Sequence, residues 1–341
     1  MRITFCCPHL RIGGGVRAIL TYAERLARRG HEVTLVLPAK GALTARWRNF
    51  KRAGPEWIAE FRPSVVWVRE WSAASLPGGD VLVATAWQSA EPVSKAPHRC
   101  GVKFYLIQHY ESLYHGRPEA VDRTYTYPLR KIVISTWLRE IMRDKFQAEA
   151  QVLVTPVDPD LFARAEEART DSLLRVLMLH HDYAWKGVAD GLEAVKRVKP
   201  RHPELRLVGF GVKRPSGRLP YDDYHENLPQ GRLAWLYSRC PIYLCPSWDE
   251  GLGMPSMEAM ACGAALVTYD NGGCRDYALD GQTALMARRR DVGDLAEKLE
   301  RLVADPTLRQ KIAGAGMAFI HEKFDWERAV SRMETLFGER R

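Results

Sequence analysis

The chain has 341 residues, 46% of them hydrophobic and 27% charged, with 50 Lys+Arg against 41 Asp+Glu. That mix excludes a disordered, collagenous or disulfide-stapled protein, and no apolar run approaches the roughly 18 to 20 residues that cross a bilayer. The excess charge is one-sided: residues 1–155 hold 23 basic and 13 acidic side chains and the remainder 27 and 28, a field suited to an anionic partner such as a membrane surface, a phosphorylated lipid or a nucleic acid.

The N-terminus has too short an apolar core for a secretory signal, so the expected address is the cytoplasm, at the inner face of the membrane if the basic half meets lipid. Seven cysteines form no CxxC pair and read as reduced, buried small hydrophobes. The chain opens with a predicted strand (3–7), a glycine loop (Gly13, Gly14, Gly15), an amphipathic helix (16–29) stopped by Gly30, and a second strand (32–37), which together make a β-α-β unit. Apolar runs at 65–68, 81–85, 103–107, 132–135 and 152–155 continue the strand series. Their alternation with helical patterns predicts a parallel sheet covered on both faces. Within this half, Leu43, Trp47, Phe50, Gly54 and Trp57 recur every three or four residues, with Arg46, Arg48, Lys51 and Arg52 beside them. If 44–52 is helical, this is either an amphipathic membrane contact with aromatic anchors or a stripe packed on the sheet beneath.

Pro156 and Pro159 mark a linker, after which strands at 175–179, 205–208, 242–245 and 265–268 alternate with helices at 187–198, 232–238, 255–262, 292–304 and 308–319. The expected domains are 1–155, 156–322 and a terminal helix, 323–341, crossing back to the first. The predicted fold is α/β: two Rossmann-like, doubly wound parallel-sheet domains with the site in a cleft between them.

The most informative stretch is 246–263, PSWDEGLGMPSMEAMACG. A strand ending at Cys245 runs into a loop with Glu250 and Gly251-Leu252-Gly253, then a helix that Pro255 can open and Gly263 can close. Such a turn aims the unpaired N–H groups of a helix at a bound anion, and Glu258, one turn on, is in reach of ligand hydroxyls. The same spacing also fits a tight turn with two solvated acids. Lys186, before the helix at 187–198, hints at an anion because the helix dipole disfavours a cation there.

The string EGLGMPSMEAMACG followed by ALVTYDNGGCRD resembles the E-x7-E signature of retaining glycosyltransferases of family 4, which have the GT-B fold. GGGVRAILTYAERLARRGHEVTLV, VTPVDPDLF, WKG, LRLVGFG and FDWERA fall in that family's order. The resemblance implies that Glu250 contacts the transferred sugar, Glu258 the nucleotide ribose, and the backbone amides of Leu252, Gly253 and Met254 the sugar or diphosphate. It further implies that Lys186 neutralises the leaving diphosphate. His181 stands where the family usually has an arginine and carries charge only below about pH 6.5. Gly14 and Gly15 would face the donor from the first domain, and Gly209 and Gly211 of LRLVGFG line the nucleotide side. His109, straight after a strand, matches a position beside the reacting sugar, with Glu111 turned away. The implied reaction moves a sugar, from a UDP-sugar by preference, to an envelope-glycan, lipid-linked or small-molecule acceptor with retention and without a metal, in polysaccharide biosynthesis.

Four other readings compete. Gly13, Gly15 and Ala18 fit a dinucleotide fingerprint, but the second strand ends Val36-Leu37-Pro38 without the ribose-binding acid. Asp158 and Asp160 spell DxD, yet in a proline-bracketed linker, and are expected to form a turn. A nucleotide-sugar-binding module without catalysis is the alternative function; a nucleic-acid binder lacks a recognisable fold.

Overall fold

The computed structural model describes residues 1–11, 13–39, 41–50, 55, 58, 60–114, 117–168, 173–215 and 221–339. The chain divides into two compact units, Met1–Thr155 with Glu327–Arg341, and Pro156–Trp326.

The first unit holds seven strands: β1 (Arg2–Cys6), β2 (Glu32–Pro38), β3 (Ser64–Val68), β4 (Val81–Ala84), β5 (Val102–Ile107), β6 (Arg130–Val133) and β7 (Ala150–Val152). They pair in the order β3-β2-β1-β4-β5-β6-β7, every ladder parallel. Helices α1 (Gly14–Arg28), α2 (Ala42–Phe50), α3 (Trp87–Ser94), α4 (Pro118–Tyr125) and α5 (Thr136–Phe146) connect them. The apolar face of α1, with Ile19, Leu20, Ala23 and Leu26, is buried, as its spacing predicts. The helix nevertheless begins two residues earlier than expected. Gly14 and Gly15 are its first turn, and Gly13 is its N-cap with extended backbone. Helices α3 to α5 carry no long apolar stripe and are absent from the sequence reading; α3 even contains Pro92.

The second unit holds β8 (Arg175–Leu179), β9 (Arg206–Gly211), β10 (Asp223–Glu226), β11 (Ile242–Cys245), β12 (Ala265–Tyr269) and β13 (Ala284–Ala287), in the order β10-β9-β8-β11-β12-β13, again all parallel. Helices α6 (Val188–Val198), α7 (Gln230–Arg239), α8 (Met254–Ala261), α9 (Val292–Ala304) and α10 (Pro306–Lys323) complete it. The polar edge strand β10 and the four-residue β13 escape sequence detection because neither shows a period of two. Val176, Met178, Leu244, Val267 and Leu285 from the sheet meet Val195, Leu295, Leu299 and Ile312 from the helices in one core.

The final helix, α11 (Trp326–Gly338), is part of the first unit from Glu327 onward. Its Phe337 ring lies 4.9 Å from Phe104 and 6.4 Å from Phe5. On the outside, Glu334 accepts hydrogen bonds from Arg29 at 2.6 Å and pairs with His31 at 2.7 Å. All seven cysteines are buried and free. Among the described residues no helix is long and apolar enough to cross a membrane.

Candidate functional site

Strand order explains why Lys186 and Glu250, 64 residues apart, meet. The second sheet reverses its winding between β8 and β11, which pair directly, so the loops leaving their carboxyl ends are neighbours at the topological switch point. One loop carries Lys186 and the other Glu250, and Lys186 Nζ donates to Glu250 Oε1 at 2.7 Å. Their side chains are 19% and 11% exposed. Burial alone would lower the Lys186 pKa, but the charge of Glu250 and the hydrogen bond to it prevail and hold it above the ordinary lysine value. The ammonium is therefore fully charged at neutral pH. A cavity of about 10 Å³ beside the pair is lined by Leu179, Ser247, Gly253 and Ser256, so the two side chains nearly fill their own niche.

The Glu250 loop is braced by a second loop. Glu250 N–H donates to Asn271 O at 3.0 Å, and Gly273 N–H donates back to Glu250 O at 3.2 Å. The crossing is so close that a Cβ on Gly273 would lie 2.6 Å from Glu250 O. Gly253 caps α8 with φ +89°, and its carbonyl accepts from the buried Tyr277 hydroxyl at 3.2 Å. Any side chain there would be strained and would lie 2.5 Å from that hydroxyl. This turn leaves the N–H groups of Leu252, Gly253 and Met254 without a hydrogen-bond partner among the described residues, at the positive end of a helix. Glu258, 2% exposed, lies on α8, where its Oε2 accepts from Tyr237 OH at 3.2 Å.

His181 follows β8. Its Nδ1 accepts from the Tyr183 backbone N–H at 3.2 Å, and its ring joins a stack in which Tyr183 and Trp185 centroids are 4.2 Å apart. Burial and the nearby Lys186 charge push its pKa below the usual histidine value. At neutral pH it offers a neutral Nε2–H, and Lys186 supplies the positive charge. Gly209 and Gly211 lie on β9, where a Cβ would meet the Tyr221 and Tyr224 rings at 2.7–2.8 Å and the Tyr224 hydroxyl at 2.6 Å respectively. Ring packing demands glycine at both.

In the first unit, the first turn of α1 and the end of β5 are neighbours: the Gln108 side chain lies 3.3 Å from a Cβ built on Gly15. His109, next in the chain, sets its ring edge against Tyr114 with centroids 5.0 Å apart. Glu111 is half-buried. Burial raises its pKa to about 7, opposed by a hydrogen bond from the Trp87 backbone N–H at the start of α3.

Of the basic-aromatic stripe, Leu43 and Trp47 do not pack on the sheet beneath. In α2, Leu43 is 84% and Trp47 60% exposed. The inward contacts belong to buried Ala45, to Arg48 over the Trp67 ring at 4.1 Å, and to Asn49, which bonds both the N–H and C=O of Trp67 at 2.7 and 2.8 Å. Lys51, Arg52, Gly54 and Trp57 and the Phe50 side chain lie outside the described residues. Asp158 and Asp160 share a turn in which Asp160 N–H donates to Asp158 Oδ1 at 3.1 Å. Among the described residues no group of three His, Cys, Asp or Glu could hold a metal.

Sequence reasoning missed Tyr237, Asn271 and the Arg289 contact with buried Asp249, because each is joined to the loop only through the fold. The DNGG string gave a signal for Asn271, since a turn so rich in glycine implies close backbone approach.

Residues 159–318 match the family model described as "Glycosyl transferases group 1". The O-antigen biosynthesis protein RfbC of Myxococcus xanthus is 28% identical over 272 residues, 78% of this chain but 21% of that protein; the chain thus spans about a fifth of that relative's length. The phosphatidyl-myo-inositol mannosyltransferase of Mycobacterium tuberculosis is 25% identical over 379 residues, covering 99% of this chain and 96% of the relative. Among solved structures, Anabaena HepE in complex with UDP and glucose superposes with a TM-score of 0.78 at 14% identity, over 98% of this chain and 99% of that one. The two parallel-sheet units are those of the GT-B fold.

Proposed function

We propose, from the glycosyl transferases group 1 domain over residues 159–318, that the protein is a retaining, family-4-like glycosyltransferase. It takes its sugar from a nucleotide diphosphate donor, a UDP-sugar by preference, and passes it to an envelope-glycan or lipid-linked acceptor. The observation that carries the reading is the charged Lys186–Glu250 pair set beside the N-terminus of α8. Lys186 and the N–H groups of Leu252, Gly253 and Met254 take the diphosphate and offset the charge that builds on it as it leaves. Engaging Lys186 in this way frees Glu250 to accept hydrogen bonds from the sugar, while Glu258 accepts from the ribose. Gly209, Gly211 and the neutral His181 flank the nucleotide. In the first unit Gly14, Gly15 and His109 carry the corresponding substrate contacts.

Departure of the diphosphate with attack from the same face follows from the absence of an assigned nucleophile. With Lys186 and the helix terminus supplying positive potential, no divalent metal is assigned a role. The relatives named for O-antigen biosynthesis and for phosphatidyl-myo-inositol mannosylation favour an envelope acceptor, and exposed Leu43 and Trp47 with Arg46 on α2 favour contact with an anionic membrane.

A panel of UDP- and GDP-sugars tests the reading by thermal stabilisation and by release of the nucleotide with and without EDTA. Stabilisation and turnover by one donor, unchanged by EDTA, are expected. Binding without turnover would leave the sugar-binding module, no binding would remove the donor assignment, and activity lost to EDTA and restored by manganese would return Asp158 and Asp160 to consideration.

A further inference from the structure

The two loops that carry Lys186 and Glu250 are fastened to each other by bonds that do not involve that pair. Trp248 N–H donates to Trp185 O at 2.7 Å, which joins the backbones one residue before Lys186 and two before Glu250. Gly187, with φ +62°, comes so close that a Cβ there would overlap Pro246 O. The Trp248 indole adds a further link: its Nε1–H donates to Asp190 Oδ2 at 2.8 Å, and Asp190 stands in the first turn of α6, the helix that Lys186 precedes.

Two further observations mark this indole as a placed group rather than a filler of space. Asp190 Oδ2 also accepts from the hydroxyl of Tyr269 at 3.3 Å, and Tyr269 is a wholly buried residue at the end of β12, so the acceptor is fixed by the sheet as well as by its own helix. On the ring face, Arg290 sets its guanidinium 3.8 Å from the Trp248 ring centroid. It does so with φ +61°, a left-handed backbone that residues other than glycine seldom take. Strain of this kind persists where the surroundings over-determine it.

We infer that Trp248, held by Asp190, is a positioning residue that keeps Lys186 and Glu250 in register once their own bond is broken. The inference rests on the proposed reaction, in which Lys186 turns to the diphosphate and Glu250 to the sugar. In that state the 2.7 Å contact between them no longer sets the spacing of the two loops, and the bonds from Trp248 to Trp185 and Asp190 do. Misplacing a reacting group by about 1 Å costs on the order of a hundredfold in rate, so the effect of the indole bond falls on turnover, through Lys186 and Glu250.

Trp248→Phe keeps an aromatic ring and removes the Nε1–H donor; Asp190→Ala removes the acceptor and Asp190→Asn restores one. With the nucleotide sugar that the wild type turns over, kcat is expected to fall by about tenfold or more in Trp248→Phe and in Asp190→Ala, with KM for the donor within about threefold. The N–H groups at the start of α8 and Glu258 keep their places in both. Asp190→Asn is expected to recover kcat to within about threefold of wild type, and Trp248→Phe/Asp190→Ala to be no slower than the slower single variant, since both remove one bond. A lower urea midpoint with wild-type kcat, losses that multiply in the double variant, or no recovery by Asp190→Asn would each overturn the assignment. A thermodynamic cycle needs no donor: Trp248→Phe and Glu250→Gln together are expected to raise the unfolding constant by about fivefold less than the product of their separate effects. Independent effects would overturn the positioning role. Coupling in a protein that turns over no nucleotide sugar would leave the registration of the pair standing and remove the proposed reaction instead.

Discussion

The two units bury charge at the carboxyl ends of their sheets in opposite ways. In the second, Lys186 and Glu250 are buried together at 2.7 Å, and the lysine stays charged because its partner's field outweighs burial. In the first, Glu111 is half-buried among tyrosines, with Tyr105 and Tyr125 close enough for its charge to raise their pKa values. There a backbone N–H does not offset burial, and the Glu111 pKa climbs to about 7. Burial with a counter-charge fixes ionisation across the physiological range, whereas burial without equal compensation moves it into that range. The contrast suits a fixed electrostatic role at one edge and a protonation-sensitive one at the other.

The most damaging way to break the contrast is to strand one charge. Glu250→Ala should cost about 3 to 5 kcal/mol of stability, since it leaves the Lys186 ammonium buried alone, and urea unfolding measures it. The double variant Lys186→Met/Glu250→Leu should recover most of that stability yet show no turnover; recovery of both would remove the pair from the reaction. Next in size is the pH dependence of Glu111. Because its folded pKa of about 7 lies above the ordinary value of 4.5, its contribution to stability is complete below pH 4.5 and is lost as pH rises through 7. Glu111→Gln should abolish this loss, worth roughly 3 kcal/mol at most, so the gap between variant and wild type measured at pH 5 and pH 8 should shift in the variant's favour at the higher pH. Unchanged slopes would mean that Glu111 titrates normally.

Smaller effects sharpen the picture. Asn49→Ala should cost about 1 to 2 kcal/mol, since Asn49 bonds both backbone groups of Trp67. Leu43→Ser with Trp47→Ser should stay within about 0.5 kcal/mol, because both side chains are exposed; its effect should appear instead as weaker sedimentation with anionic vesicles. Finally, His181→Arg adds a permanent cation where a neutral imidazole stands. Affinity for UDP at pH 7.5 should improve by a few-fold, by calorimetry, and a loss would indicate that the stack with Tyr183 matters more than charge.

Legibility in the sequence followed the range of the forces involved. The β-α-β opening, the second strand series and the strand-loop-helix around Glu250 were readable because each depends on local period or on glycine and proline chemistry. The strand 242–245 and the helix 292–304 were placed to the residue. Helices α3 to α5 were not, since they are short and draw their stability from packing rather than from a stripe of their own. At the site, the meeting of Lys186 with Glu250 could not be read from spacing, because strand order creates it. The surroundings of Glu111 are hidden from spacing for a related reason: its neighbours Trp87, Tyr105 and Tyr125 are assembled from three separate elements.

The return of α11 to the first unit sets a constraint on how the polypeptide comes off the ribosome. Val330, Met333, Leu336 and Phe337 are buried, and Phe337 completes an aromatic contact begun by Phe5 and Phe104. The first unit is therefore completed only after the second has been made: its core waits, with an apolar face uncovered, until some 170 intervening residues and then α11 have been synthesised. The second unit, continuous in sequence, has every residue it needs before then. Vectorial synthesis thus favours folding from the middle of the chain outward, and truncation by a single helix at the far end would be felt at the very first strand.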